Sequence, residues 1–484
     1  KIDKHSDDEV PSIAIIPFEN KGKEEDVFYA YGISVDLISD VSSAGLIRVA
    51  SKKQIEDVGE LPIDELAKKL DVRYMANGEL WRMGEMFQLS VELYDTKDKK
   101  VVWSDRWQEK WDNLPSIKGS LSDGLLKALN TKPKAEQKVD TTNAEAYEYY
   151  LRGKYAWQTI KNKEDLSIVR KLLNKAIELD SNAIEPQLTL GFTYFFHGEF
   201  DKSLKIYQDV LNKAKLNDNK KDIGIIYLQL AMVYSNLIGG FRYPNIKEDE
   251  IESYLKKAKI LIEDSNDISA KAQLMHAFGN YYNKQFNIEK GLSYILKYKE
   301  INKQIKSNYG VGLYIMGEKN LFMGNYDKAL KFLNSSKEYF EKEDNPMRLS
   351  YINGVLGEYY LQKSYFEKAI TYYEKELEYW INKGHNTKIY AEVRLNTSIA
   401  FAKSKLNLDY DKKGLEKIMD RYYKYMRQNN LKPGGDIAIS LQLYHLLEKT
   451  EYLELAHNEV QEKANKLEPD VKAKFLSYPI PKAI

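Results

Sequence analysis

Two carboxylates one helical turn apart are the first candidates for chemistry. Asp36 and Asp40 lie in a segment of helical periodicity, a spacing at which paired carboxyl groups can share acid and base roles. No histidine, nucleophile or glycine-rich loop accompanies them, so an ordinary solvated helix face is expected. Asp409, Asp411, Gly414 and Asp420 fall at positions 1, 3, 6 and 12 of a calcium-loop pattern. Lys413 takes a ligand position, however, and the last place lacks the bidentate glutamate, so calcium binding is not expected. His5, His197, His276, His385, His445 and His457 are scattered without ligand spacing. No GxxxxGK[ST], GxGxxG, HExxH or GxSxG motif occurs. His276, Asn280 and Asn283 share a helix face at i, i+4 and i+7, which suits solvated polar groups or contacts to a polar ligand.

Composition narrows the classes. The 484 residues exceed one compact core and point to at least two domains. Hydrophobic content of 43% and charged content of 30% are those of a folded, soluble chain. Against 73 basic residues stand 72 acidic ones, a formal charge of +1, which argues against nucleic-acid binding by this chain. With no cysteine there is no disulfide, thiolate metal site or cysteine nucleophile. No cofactor and no metal is expected. No apolar run reaches the ~18 residues of a bilayer span, and no signal peptide is visible. The chain begins at Lys1, which fits a piece cut after an upstream domain; any membrane helix or catalytic domain is expected there.

The elements that must position these residues change period along the chain. After a lead-in at 1–10, residues 11–130 alternate apolar strands with helices. Ser12–Phe18 reads as a buried strand, Val27–Val41 as an amphipathic helix, Ile47–Ala50 as a strand, Ile63–Leu70 as a helix and Val72–Trp81 as a third strand. Phe87, Leu89, Val91 and Leu93 alternate with Gln88, Ser90 and Glu92, and the turn Asp95–Lys99 leads into Val101–Trp107, completing a hairpin. A helix at Ile117–Leu129 closes a mixed α/β domain. Thr131–Thr142, polar and charged, is the linker. From 143 to 484 every segment reads as helix.

Those helices repeat at about 34 residues, the tetratricopeptide (TPR) signature of stacked helical hairpins. Gly317, Gly324, Tyr326 and Ala329 mark one unit; Leu356, Gly357, Tyr360, Phe366, Ala369 and Tyr373 mark the next. Leu190, Gly191, Tyr194, Gly198, Phe200 and Tyr207 mark an earlier one, with Ser203 at its small position. Phe278, Gly279 and Tyr282 mark a degenerate unit with Gly291 at the small position. Seven or eight units are expected, with a C-terminal capping helix and an insertion near 238–250. Many of the 37 tyrosines fall on these packing positions, so a structural role is expected for them rather than an aromatic binding cage. Stacked hairpins leave a groove, and Phe192, Phe195, Tyr314 and Glu318, with His276, Asn280 and Asn283, are read as lining it. The expected fold is a small N-terminal mixed α/β domain followed by an all-α TPR superhelix.

The stretches SIAIIPFEN, VFYAYGISVDLISDV, IRVASKKQI, LAKKLDVRYMANGELWR and FQLSVELYDTKDKKVVWSDRW resemble the TolB-N-terminal-like (FlgO-like) α/β domain. AYEYYLRGKYAWQTIKNKEDL with KAIELDSN is similar to the first repeat of the TPR arrays that follow it. The resemblance implies the regulatory half of a bacterial signalling protein, behind an adenylate or guanylate cyclase, a Ser/Thr kinase or a winged-helix domain, often with an intervening transmembrane helix. It implies an extracytoplasmic location where such a helix precedes and a cytoplasmic one otherwise. It carries over no catalytic residues. The expected function is non-catalytic binding of a protein, peptide or small ligand in the groove. A scaffold that clusters effector domains, as a homodimer, is the alternative.

Overall fold

The computed structural model describes residues 11–43, 47–50, 55, 61–131, 143–158, 163–216, 220–240, 248–263, 267–304, 309–343, 345–383, 388–428 and 436–484. The lead-in 1–10, the linker from 132 to 142 and the insertion at 241–247 lie outside the described residues. The described residues of Lys1–Val233, Asp249–Ala277 and Ile301–Ser307 form one compact unit, and those of Tyr234–Glu248, Phe278–Glu300 and Asn308–Ile484 form a second.

The first unit opens with a mixed sheet. Strand β1 (Ser12–Ile15) lies between β3 (Arg48–Val49) and β4 (Tyr74–Met83), parallel to both. The long strands β4, β5 (Met86–Asp95) and β6 (Lys100–Lys110) continue as an antiparallel meander, and the short β2 (Glu19–Asn20) adds to β4. In β5, Phe87, Leu89, Val91 and Leu93 are all buried, as strict alternation requires of a sheet with one face on a core. Helices α1 (Val27–Ser43), α2 (Ile63–Leu70) and α3 (Leu114–Ala128) complete this part. The expected order of strands and helices is observed; β2, two residues long, carries no periodicity for a sequence reading to find.

Among the described residues every further element is helical, beginning with eight consecutive pairs: α4 (Ala144–Gln158) with α5 (Lys163–Leu179), α6 (Ile184–Phe196) with α7 (Phe200–Leu216), α8 (Lys220–Gly240) with α9 (Glu248–Ile262), and α10 (Ile268–Lys284) with α11 (Ile288–Gln304). Then come α12 (Tyr309–Phe322) with α13 (Tyr326–Lys342), α14 (Pro346–Gln362) with α15 (Phe366–Lys383), α16 (Lys388–Lys405) with α17 (Lys412–Gln428), and α18 (Ile437–Leu447) with α19 (Thr450–Ala464). Two short helices follow, α20 (Pro469–Ser477) and α21 (Pro479–Lys482).

The glycines that marked the repeats set the distance between paired helices. A Cβ on Gly191, Gly317 or Gly357 would lie 2.5, 2.7 or 2.6 Å from Tyr207, Leu333 or Tyr373 of the partner helix. Only a hydrogen at the first helix lets these large groups in, and Tyr207 and Tyr373 are 1% and 0% exposed. The two departures from alanine at the small position are both accommodated. Ser203 is buried and donates to the Gly191 carbonyl at 2.9 Å. Gly291 makes room for Asn283, whose Oδ1 would sit 2.1 Å from an added Cβ.

Within the first unit the sheet and the leading hairpins share one core. Ile13, Leu37, Phe87 and Leu121 from the α/β part join Tyr147, Leu151, Val169, Leu173 and Leu190 from the helices. Gly32 on α1 brings its backbone against Leu151 of α4, where a Cβ would meet Cδ2 at 2.7 Å.

Candidate functional site

The surroundings of Asp36 correct the expectation of a solvated face. The residue is 2% exposed. Its carboxylate pairs with Lys154 of α4, accepts from the Tyr147 hydroxyl at 2.8 Å and lies 3.3 Å from the Lys118 ammonium of α3. Burial alone would raise its pKa, but Lys118 and Lys154 outweigh it and hold the carboxyl below the usual range. Asp40 joins at 3.7 Å from Lys118, and Tyr150 donates to Glu185 of α6 at 2.8 Å. A polar cavity of about 210 Å³ lies among Asp36, Lys118, Tyr150, Lys154, Glu185 and Thr189. Sequence reasoning missed this because the compensating lysines lie 82 and 118 residues from Asp36. Both oxygens of Asp36 are engaged by a cation or a phenol, the arrangement of a structural ion-pair network.

Leaving His276, Asn280 and Asn283 aside, the groove candidates fall into two sets, one in each unit. On α6 of the first unit, Phe192 and Phe196 lie one turn apart, with rings 6.0 and 5.7 Å from the Trp157 indole of α4. His197 approaches the same indole at 6.4 Å. Helices α4 and α6 are the first helices of successive hairpins, so these rings lie on the face that first helices share. Phe196 is 54% exposed. Phe195, the other candidate here, turns toward Phe200 across the hairpin bend at 5.8 Å. Aligning Gly153 with Gly191 places Trp157 opposite Phe195 in register, a signal that could have pointed to Trp157.

In the second unit, Tyr314 and Glu318 of α12 belong to a polar set continued by α14, α15 and α16. Burial raises the Tyr314 phenol well above its usual pKa, reinforced by the Glu318 and Glu376 carboxylates. Glu376 of α15, 2% exposed, pairs with Arg394 of α16 at 2.5 Å and accepts from the Trp380 indole at 3.3 Å. It fits because position 354 is glycine: a Cβ there would lie 2.0 Å from Glu376 Oε2 and 3.2 Å from the Arg394 guanidinium. Glu358 of α14 accepts from the Tyr373 hydroxyl at 2.9 Å and from the Gln362 amide at 2.8 Å. Burial pushes its carboxyl above the usual range, against the lowering effect of those two donors. Ser398 of α16 donates to Gln442 of α18 at 3.1 Å.

His276 and Asn280 are half-buried on α10, while Asn283 of the same helix is 6% exposed and fills the space left by Gly291 between paired helices. The three therefore do not share one surface. The calcium-loop pattern is interrupted by α17, which starts at Lys412 and includes Asp420. Asp411 instead accepts from the Gly414 amide at 2.8 Å, as an N-terminal cap does. Among the described residues no cluster of three or more His, Cys, Asp or Glu could hold a metal, and no helix is long and apolar enough to cross a membrane.

No family model and no curated protein matches the chain. Solved structures do. The Rap protein complexed with Competence and Sporulation Factor shares 14% identity over 75% of this chain and 96% of its own, at a TM-score of 0.48. A Signal Transduction ATPase with Numerous Domains protein with a tetratricopeptide repeat sensor, from Pyrococcus horikoshii, shares 16% over 93% of this chain, at a TM-score of 0.43. TolB from Acinetobacter baumannii shares 18% over 26% of this chain, at a TM-score of 0.21. The chain spans 66% of that ATPase and 30% of that TolB.

Proposed function

We propose that this chain is a non-catalytic regulatory module whose helical hairpins bind a protein or peptide segment on the face shared by their first helices. The aromatic row of Trp157, Phe192 and Phe196 carries this reading. Repeat packing already consumes the tyrosines at the hairpin glycines, yet these rings are left partly in water, with Phe196 more than half exposed. Exposed, clustered aromatics are the usual anchors of a binding surface. In the second unit, the partly exposed Arg394 and Glu318 and the half-buried Glu358 supply polar contacts of the kind that orient a bound backbone.

The resemblance to TolB-N-terminal-like domains with TPR arrays supports a place in bacterial signalling, most directly as the regulatory half of an adenylate or guanylate cyclase. A kinase or winged-helix regulator is the alternative effector.

Panning a random peptide library displayed on phage against the chain tests the binding reading. Selected peptides should bind the parent chain and lose at least tenfold in affinity with Phe192→Ala/Phe196→Ala at unchanged helicity. If no peptide is retained, or retained peptides ignore the double substitution, the reading fails.

A further inference from the structure

Stacked repeats normally touch only their neighbours. The C-terminal segment of the second unit breaks that rule. Helices α20 and α21 leave the last hairpin and pack against the turn after α10, the start of α11 and the end of α12, elements that precede them by well over a hundred residues. The Phe475 ring, 0% exposed, meets Phe286 at 4.6 Å, and Tyr478 meets Phe322 at 5.3 Å edge to face. Pro479 sits over Gly324, where a Cβ would touch its ring at 3.1 Å. Lys474 pairs with Glu289 at 2.5 Å across 185 residues of sequence. On its other side the segment shares a core with Ile437 of α18 and with Val460 and Ala464 of α19.

We infer that Pro469–Ile484 is a strap that ties the last hairpin back to the α10–α12 region, and that its release is what lets the hairpins of the second unit spread. A passive cap needs only to cover the apolar face of α18 and α19. This segment covers that face and also spends its two most buried aromatic groups on the far partner. It is short and anchored by few side chains, and its ion pair is solvent-exposed on both sides, 53% and 65%, hence weak. Such a contact can open without unfolding the hairpins it joins. Helices α14 and α16, which carry Glu358 and Arg394, lie between the two tied ends in sequence, and α12, which carries Tyr314 and Glu318, is itself one of the elements tied, so the strap fixes their mutual spacing. The inference goes beyond the groove reading and stands without it.

The absence of native cysteine permits a clean test in the full chain. Glu289→Cys/Lys474→Cys should be joined rapidly by a short bis-maleimide. Adding Phe475→Ala/Tyr478→Ala should slow the joining at least fivefold and enlarge the radius of gyration in small-angle scattering. A chain ending at Glu468 should show the same expansion. A synthetic peptide of residues 469–484 should bind it and reverse the expansion, while the peptide carrying the two alanines should bind at least tenfold more weakly. Unchanged joining and an unchanged radius in the full chain would overturn the inference, as would failure of the truncated chain, if folded, to bind the peptide. If the truncated chain does not fold, the full-chain comparison decides.

Discussion

At Asp36 a single carboxylate collects two ammonium groups and a phenol from two other helices. Removing one partner of a buried pair leaves the other charge uncompensated, which costs about 3–5 kcal/mol. Asp36→Asn should therefore lower unfolding stability in urea by about 3 kcal/mol, whereas Asp36→Leu/Lys118→Met/Lys154→Met should recover much of that loss. The pH dependence has a definite sign. The folded carboxyl is held near 2, below its ordinary 3.8, so its contribution is complete above about pH 4 and lost as pH falls toward 2. In Asp36→Asn that part of the acid sensitivity should vanish; an unchanged acid profile would show that the carboxylate is not engaged. Glu358 has the opposite sign: its raised carboxyl weakens the fold at neutral pH, and falling pH relieves this. None of this was legible from Asp36 and Asp40 alone. Spacing showed two acids on one turn but not which distant lysines would meet them.

Elements were far more legible than sites. The β5 alternation and the hairpin glycines follow from local periodicity and steric need, so strands and helix pairs fall where the sequence places them. The same glycines give a prediction. Gly357→Ala puts a methyl 2.6 Å from Tyr373, a wholly buried ring, and should cost about 1–3 kcal/mol. Gly119→Ala, on α3 with nothing within 4 Å of the new methyl, should be neutral or stabilise by up to about 1 kcal/mol. Thermal unfolding of the two variants checks the pair; equal effects would contradict the packing. Asn283 shows the limit of such reading. Its helix-face register with His276 is correct, but the missing side chain at Gly291 draws it into the hairpin, a tertiary effect that no single-helix pattern contains.

For the molecule as a whole, polarity and loss of period marked residues 131–142 as a linker between two domains. The common core of sheet and leading hairpins, together with the Asp36 pairs, argues that cutting the chain there leaves the pieces associated. With a protease site placed in that segment, the nicked chain should elute as one species at low salt and neutral pH, and the Asp36→Asn version should dissociate more readily. The C-terminal return to the α10–α12 region was equally hidden, since repeat motifs describe neighbours and say nothing of a contact across 185 residues.

In the proposed reading, partly exposed aromatics on α4 and α6 hold a partner segment. Isothermal titration of a selected peptide into the parent chain, into Phe192→Ala/Phe196→Ala and into Leu216→Ala tests it most directly. Leu216, 87% exposed on the second helix of the same hairpin, is the control. Binding should be at least tenfold weaker for the aromatic pair, with none of that loss for Leu216→Ala. Equal affinity for all three chains would contradict it.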